Sequence, residues 1–313
     1  MDEGQFEFRR VLRRFRRPLR TGAGAVETVE RILLRARTDV GIGYGEVAPW
    51  PGFPSESTET ALEVLRSAQG KLAHLQAVVA ADTGLPCLAA ALSSCRHWDG
   101  IVAWSGALPC AGLLAEDLED LGRKLTEGFR VLKVKIGPTT TPAEIRDLLG
   151  RFEGTLRLDA NGALDLAAAR TWLEFVRAEP RLEFLEQPLP VGHAGYASLG
   201  QEKVALDESF LTPAGVAWAG PVVVKPSLVG DWDRFLAWRR ADPTRVVVHS
   251  SCFETAIGRQ GALWLAAQDG SGRAVGFDTL GRFERDGRDR HAGGPFVRGA
   301  LDLRWDDYWN ELA

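Results

Sequence analysis

Residues 131–137 read VLKVKIG. Side chains two apart lie on one face of a strand, so Lys133 and Lys135 project together while Val134 points the other way. Lysines also gather on solvated sheet edges, but this stretch is otherwise apolar and is flanked by βα signals, which places it on a central strand. Both amines then line one cavity, and each raises the cost of charging the other. A nearby dication adds to that cost, leaving one lysine able to act as a base near neutral pH.

Working outward, three strand-like segments follow that each end in a carboxylate: LRLDANG (156–162) at Asp159, LEFLEQP (182–188) at Glu186 and VALDES (204–209) at Asp207. PVVVKPS (221–227) then ends at Lys225. One carboxylate leaving a strand is more often a helix cap or a surface acid. Three on successive strands would repel one another unless a cation lay between them. An all-oxygen set suits Mg²⁺ or Mn²⁺ better than zinc. Asn161 shares a face with Asp159 and can support the cation or its water. Lys225, alone a turn-forming lysine before Pro226, falls roughly across a barrel from Lys135.

Further strand candidates are IVAWSGALP (101–109), RVVVHSS (245–251) and AVGFDTL (274–280), and helical stretches such as LAAARTWLEFVRA separate most of the set. Eight parallel strands with polar residues at their C-terminal ends suggest a closed βα barrel, whose active site sits on that face. A doubly wound sheet would put its chemistry at one switch point. Before residue 101 the pattern differs. Alternating segments around Phe6 to Phe15, then VERILLRARTDV and GIGYGEVAPW, predict an antiparallel meander. Capping residues from Ser55 to Glu59 and the spacing of Leu62, Val64, Leu65, Leu72 and Leu75 predict a helical stretch after it.

The chain has 313 residues, of which 45% are hydrophobic, enough for a barrel and a small accessory domain. A net charge of −4 and a pI near 5.8 argue against general nucleic-acid binding. No apolar run is long enough to span a bilayer, and the arginine-rich N-terminus lacks the features of a secretory signal, so the cytosol is the expected location. Cys87, Cys95, Cys110 and Cys252 form no CxxC pair and read as buried free thiols. The run RRVLRRFRRPLR (9–20) spreads its arginines over both faces of a strand and reads as a solvated face whose end attracts a dicarboxylate. GIGYGEV lacks the third glycine and the following helix of a dinucleotide loop.

The KxK pair, the DxN, EQP and DES strand ends and the later Lys225, in this order, resemble the muconate-lactonizing subgroup of the enolase superfamily, and within it the o-succinylbenzoate synthase family. GYGEVAPWPGFPSE (43–56) is similar to that family's cap, and HSSCFETAIG (249–258) and GFDTL (276–280) to its last two strands. Leu164, where tryptophan is common, and Thr255, where serine is frequent, depart from the pattern. The resemblance implies an α/β fold: an enolase-like α+β capping domain over residues 1–97, completed by the tail 290–313, and a modified (β/α)8-type TIM barrel over 98–289.

It also implies Mg²⁺-dependent dehydration of 2-succinyl-6-hydroxy-2,4-cyclohexadiene-1-carboxylate, a small dicarboxylate, on the way to menaquinone or phylloquinone. Mg²⁺, with Mn²⁺ as a substitute, is held by Asp159, Glu186 and Asp207. Lys135 removes the proton, Lys225 remains a cation on the other face and Lys133 assists. Ser250 and Ser251 bind the succinyl end, with Arg20 and Asn161 also at the substrate, although each serine equally suits a helix cap before FETAIG. Cap segments RPLRTGAG and PWPGF close the mouth and exclude water. An N-succinylamino acid racemase or dipeptide epimerase would use Lys135 and Lys225 as bases on opposite faces of one carbon. Mandelate-racemase chemistry needs a His–Asp dyad, for which His249 has no partner by spacing. A metal-dependent binding protein without turnover is the alternative outside enzymes.

Overall fold

Alternating apolar residues build the predicted meander: β1 (Gln5–Thr21), β2 (Gly24–Thr38) and β3 (Gly41–Val47) form an antiparallel sheet in that order. The computed structural model describes residues 4–21, 24–114, 118, 120–300 and 302–312, without the side chains of Arg20 and Thr21. Four helices follow the meander: α1 (Thr58–Ser67), α2 (Leu72–Ala81), α3 (Pro86–Arg96) and α4 (Trp98–Ala103). Ser57 caps α1 by accepting from Thr60 N. The predicted helical stretch is two helices, because Gln69 and Gly70 turn the chain through positive φ, 52° and 75°. Two glycines of GIGYGEV, Gly43 and Gly45, serve packing. A Cβ at Gly43 would lie 2.1 Å from the Cys95 carbonyl oxygen, and one at Gly45 2.2 Å from that of Ala91, so α3 rests on bare β3 backbone.

The arginine run lies on β1. Arg10 and Arg14 are exposed, whereas Arg13 is fully buried, against the expectation of a wholly solvated face.

The next strand differs from expectation. IVAWSGALP does not enter the barrel: Ile101–Ala103 end α4, and β4 (Ala107–Pro109) pairs antiparallel with β12 (Phe296–Arg298) near the C-terminus. The first barrel strand comes just after it, as Cys110 and β5 (Gly112–Leu114). Helix α5 (Leu121–Glu127) leads to β6 (Val131–Lys135), α6 (Pro142–Arg151) to β7 (Thr155–Asp159), and α7 (Leu166–Ala178) to β8 (Leu182–Glu186). Then come β9 (Val204–Ala205), α8 (Pro213–Val216), β10 (Val222–Val224), α9 (Trp232–Ala241), β11 (Val247–His249) and α10 (Ala256–Asp269).

Parallel pairing runs β5-β6-β7-β8-β9, and a Leu206–Val222 bridge joins β9 to β10 and β11. The ring closes through Ser250–Gly276 and Cys110–Val275, so AVGFDTL supplies the eighth rung. Closure leaves no free barrel edge. Among the described residues no helix is long and apolar enough to cross a membrane.

The cap grips the barrel through buried charge. Thr255 precedes α10, but its side chain does not cap that helix. Glu46 of β3 does so instead, accepting from Thr255 N at 3.0 Å, Thr255 Oγ1 at 2.6 Å and Gly258 N at 3.1 Å, with Arg31 Nε 3.5 Å away. The C-terminal helix α11 (Trp305–Glu311) packs on the same sheet, where Tyr44 Oη donates to Asp306 and the Arg35 guanidinium lies 5.0 Å from the Trp309 ring.

Burial pushes the Glu46 carboxyl up from 4.5 to about 7, against the pull of Arg31 and Thr255. A raised carboxyl stabilises fully below its unfolded value and loses that contribution as pH rises through the folded one. Glu46→Gln is therefore expected to remove a fall in thermal stability between about pH 4.5 and about pH 7, read as the change in Tm with pH against the parent protein.

Candidate active site

The i, i+2 rule builds the site in two layers. Phe184, Ala205, Val223 and Val248 form a separate apolar cluster, the barrel floor. Two residues beyond each stand Glu186, Asp207, Lys225 and Ser250, directed to the mouth. Lys133 precedes Lys135 by the same step on β6. Register then sets Lys135, Asp159 and Glu186 side by side on neighbouring strands. Lys135 and Lys225 belong to the second and sixth rungs of the closed ring, which are opposite walls.

Lys133, Lys135, Asp159, Asp207, Lys225 and Ser250 line one cavity of about 100 Å³, together with Asn161, Glu208, Ser251, Asp278 and Thr279. Its lid comes from the cap: Leu19, Trp50 and Phe53 lie over the opening, and the Phe53 ring is 5.3 Å from Lys225 Nζ. A larger crevice of about 560 Å³ between α2, α3 and the start of α9 contains none of the proposed catalytic groups. The Arg20 side chain lies outside the described residues.

Inside the cavity the carboxylates are paired. Lys133 Nζ reaches up from the lower layer to Asp159 Oδ2 at 2.8 Å and Glu186 Oε1 at 2.6 Å. Lys225 Nζ lies 2.6 Å from both oxygens of Asp207. Burial alone would push Lys133 down, but the charges of Asp159, Glu186 and Asp207 outweigh it and hold this ammonium well above its ordinary value. Lys225 is raised too, burial being outweighed by Asp207. Burial opposes the ionisation of Asp159, yet Lys133 and Lys135 hold it below its ordinary value. Glu186 goes the other way, pushed up to about 8 by burial and by the charge of Asp159. The acids around it thus keep Lys133 a fixed cation.

Four carboxylates, those of Asp159, Glu186, Asp207 and Glu208, share this region with three lysines, Lys133, Lys135 and Lys225. Glu208, which the sequence reading passed over, is raised to about 7 by burial and by Asp207 and Asp159, and its Oε2 is buried without a hydrogen-bond partner. Among the described residues no three acid, histidine or cysteine side chains converge as placed to hold a metal ion, since amines occupy the space between the carboxylates. The donor set itself, all carboxylate oxygens with unbalanced negative charge, fits a hard divalent cation.

Gln187 and Asp278 were hidden from sequence reasoning, while Asn161 and His249 were named there. Gln187 of EQP, with φ 39°, accepts from Asp207 N and Ser209 N at 3.1 Å each and donates to Ser209 Oγ at 2.7 Å, fixing Asp207 from the neighbouring strand. Asn161, at φ 44°, donates its backbone N–H to Asp159 Oδ1 at 3.0 Å. Asp278 accepts from Leu113 N at 2.8 Å and from Lys124. His249 does have an acid, Asp269 at 3.4 Å, but its ring meets Phe235 and the pair is buried outside the barrel wall, between Val248 on the floor and Ser250 at the mouth. Among the described residues no His–Asp dyad enters the cavity.

Comparison with known proteins bears on the family and the fold. Residues 116–219 match the model of the enolase C-terminal domain-like family. The o-succinylbenzoate synthase of Thermosynechococcus vestitus is 30% identical over 282 residues, 83% of this chain and 88% of that protein. The crystal structure of o-succinylbenzoate synthase from Thermosynechococcus elongatus BP-1, complexed with Mg in the active site, superposes with a TM-score of 0.80 at 27% identity, covering 98% of this chain and 99% of that one. A dipeptide epimerase from Methylococcus capsulatus, complexed with Mg and a dipeptide, has a TM-score of 0.78 at 22% identity over 94% of this chain and 96% of its own, a likeness of fold. The chain belongs to the enolase superfamily, as an enzyme of the o-succinylbenzoate synthase family.

Proposed function

We propose that this enzyme dehydrates 2-succinyl-6-hydroxy-2,4-cyclohexadiene-1-carboxylate to 2-succinylbenzoate, acting in the cytoplasm on the way to menaquinone or phylloquinone. The observation that carries the reading is a pair of lysines on opposite walls of one lidded cavity, with three buried carboxylates at the strand ends between them. A divalent cation held by Asp159, Glu186 and Asp207, Mg²⁺ or Mn²⁺, would supply positive charge to the ring carboxylate and acidify the adjacent carbon.

Lys135 Nζ takes the proton from that carbon. The resulting ammonium returns it to the departing hydroxyl on the same face, so water leaves and the ring becomes aromatic. Lys225 keeps its proton and opposes the charge spreading on the other face. Lys133 stays charged, holding Asp159 and Glu186 in place. Leu19, Trp50 and Phe53 exclude water from the exchange. Arg20, Asn161 and Ser250 complete the substrate contacts in this reading, with Ser251 beside Ser250 in the wall, within a cap of residues 1–97 and 290–313 over a barrel of residues 98–289.

The test is incubation of the purified enzyme with Mg²⁺ and the cyclohexadiene substrate, following ultraviolet absorbance. Appearance of the aromatic product is expected. The opposed lysines also suit racemisation of an N-succinylamino acid. Exchange of solvent deuterium into that compound, with no aromatic product from the diene, would favour the second activity and defeat the first.

A further inference from the structure

The two serines at the seventh strand end are not equivalent. A hydroxyl has one proton to give and two lone pairs to receive with. Ser251 Oγ donates to Glu254 Oε2 at 2.6 Å and accepts from Phe253 N at 2.9 Å and Thr279 Oγ1 at 3.2 Å. Its capacity is spent within the protein. Among the described residues Ser250 Oγ has one long bond, 3.3 Å to the Gly276 carbonyl oxygen, and a Cβ at Gly276 would sit 2.7 Å from it, so that glycine makes room for the hydroxyl.

Glu254 is the hub of this turn. It is buried, with Oε1 accepting from Cys252 N at 2.8 Å and Ser227 Oγ at 3.2 Å. Ser227 follows Lys225 by two residues, so one carboxylate ties the turn after Lys225 to the turn after Ser250. The cap reinforces it: Arg13 Nη1 donates to Glu254 O at 3.1 Å and Arg31 Nη2 to Cys252 O at 2.6 Å. Between these anchors Phe253 sits at φ 60°, a conformation that costs a bulky side chain. It is held there while its ring stacks on Trp50 at 5.1 Å.

We propose that Glu254 is a positioning residue for the substrate's succinyl end. It pins Ser251 and the strained Phe253 so that Ser250 and the Phe253–Trp50 wall receive the succinyl group, while Ser251 serves as a pin and makes no contact with substrate. This rests on the dehydration reading above, because it takes the ligand to carry a succinyl arm.

Binding of 2-succinylbenzoate, followed by tryptophan fluorescence, tests it against benzoate, which lacks the arm. Glu254→Ala and Ser251→Ala are each expected to weaken 2-succinylbenzoate about tenfold, leaving benzoate unchanged. The double variant is expected to lose no more than either single one. Glu254→Gln, whose amide oxygen can still accept the Ser251 proton, is expected to recover most of the affinity. Ser250→Ala is expected to weaken the same ligand, and Ser251→Ala to cost less in that background than in the parent, because part of its effect acts through Ser250. If Glu254→Ala fails to fold, Ser251→Ala carries the comparison.

Unchanged 2-succinylbenzoate affinity in the variants, or parallel loss of both ligands, would overturn the proposal while the dehydration reading stands. A parent protein that does not bind 2-succinylbenzoate would overturn both.

Discussion

Lys135→Ala is expected to lower turnover of the cyclohexadiene substrate by roughly 10²–10⁴-fold, the range for loss of a positioned proton-transfer group. Lys133 and Lys225 cannot take over. Lys133 is committed to Asp159 and Glu186, Lys225 is paired with Asp207 on the far wall, and both are held protonated by those acids. The three carboxylates are untouched, so Mg²⁺ affinity, measured by titration calorimetry, is expected to stay within a few-fold of the parent. Turnover that survived the substitution would move the base elsewhere. Lost Mg²⁺ affinity would mean that Lys135 organises the carboxylates and does not serve the proton.

Removing divalent cations is expected to have an effect at least as large. A cation at a developing negative charge stabilises by several kcal/mol, roughly a thousandfold or more in rate. After dialysis against a chelator turnover should fall to background and return with Mg²⁺ or Mn²⁺. Tm should also rise with added Mg²⁺, because the cation binds the folded chain and relieves the crowding that pushes Glu186 up to about 8. Full activity in thoroughly chelated protein would refute a metal role for Asp159, Glu186 and Asp207.

Much of this was legible before any coordinates. The order of Lys133, Lys135, Asp159, Glu186, Asp207 and Lys225 follows strand ends, and period-two geometry turns such an order into a shared cavity. The meander was readable for the same reason. The first barrel strand was not, because IVAWSGALP, the two short strands β4 and β5 and the end of α4 share one apolar composition that periodicity cannot divide. The partner of His249 lies on the following helix, and only packing shows that the pair faces outward. The spent hydroxyl of Ser251 and the bridging amide of Gln187 depend on bond directions, which residue types do not carry. Glu46 was quoted within a motif, yet its bond to α10 spans 209 residues in sequence.

That long-range bond has a consequence for protein engineering. A lid borrowed from another member of the family would reach this barrel without the matching acceptor, and the N–H groups of the first turn of α10 would be left unsatisfied beneath it. Chimeras that transplant positions 13, 31 and 46 as a set should refold, whereas those exchanging only the loops around Leu19 and Phe53 would inherit altered substrate preference on an unchanged cap–barrel junction.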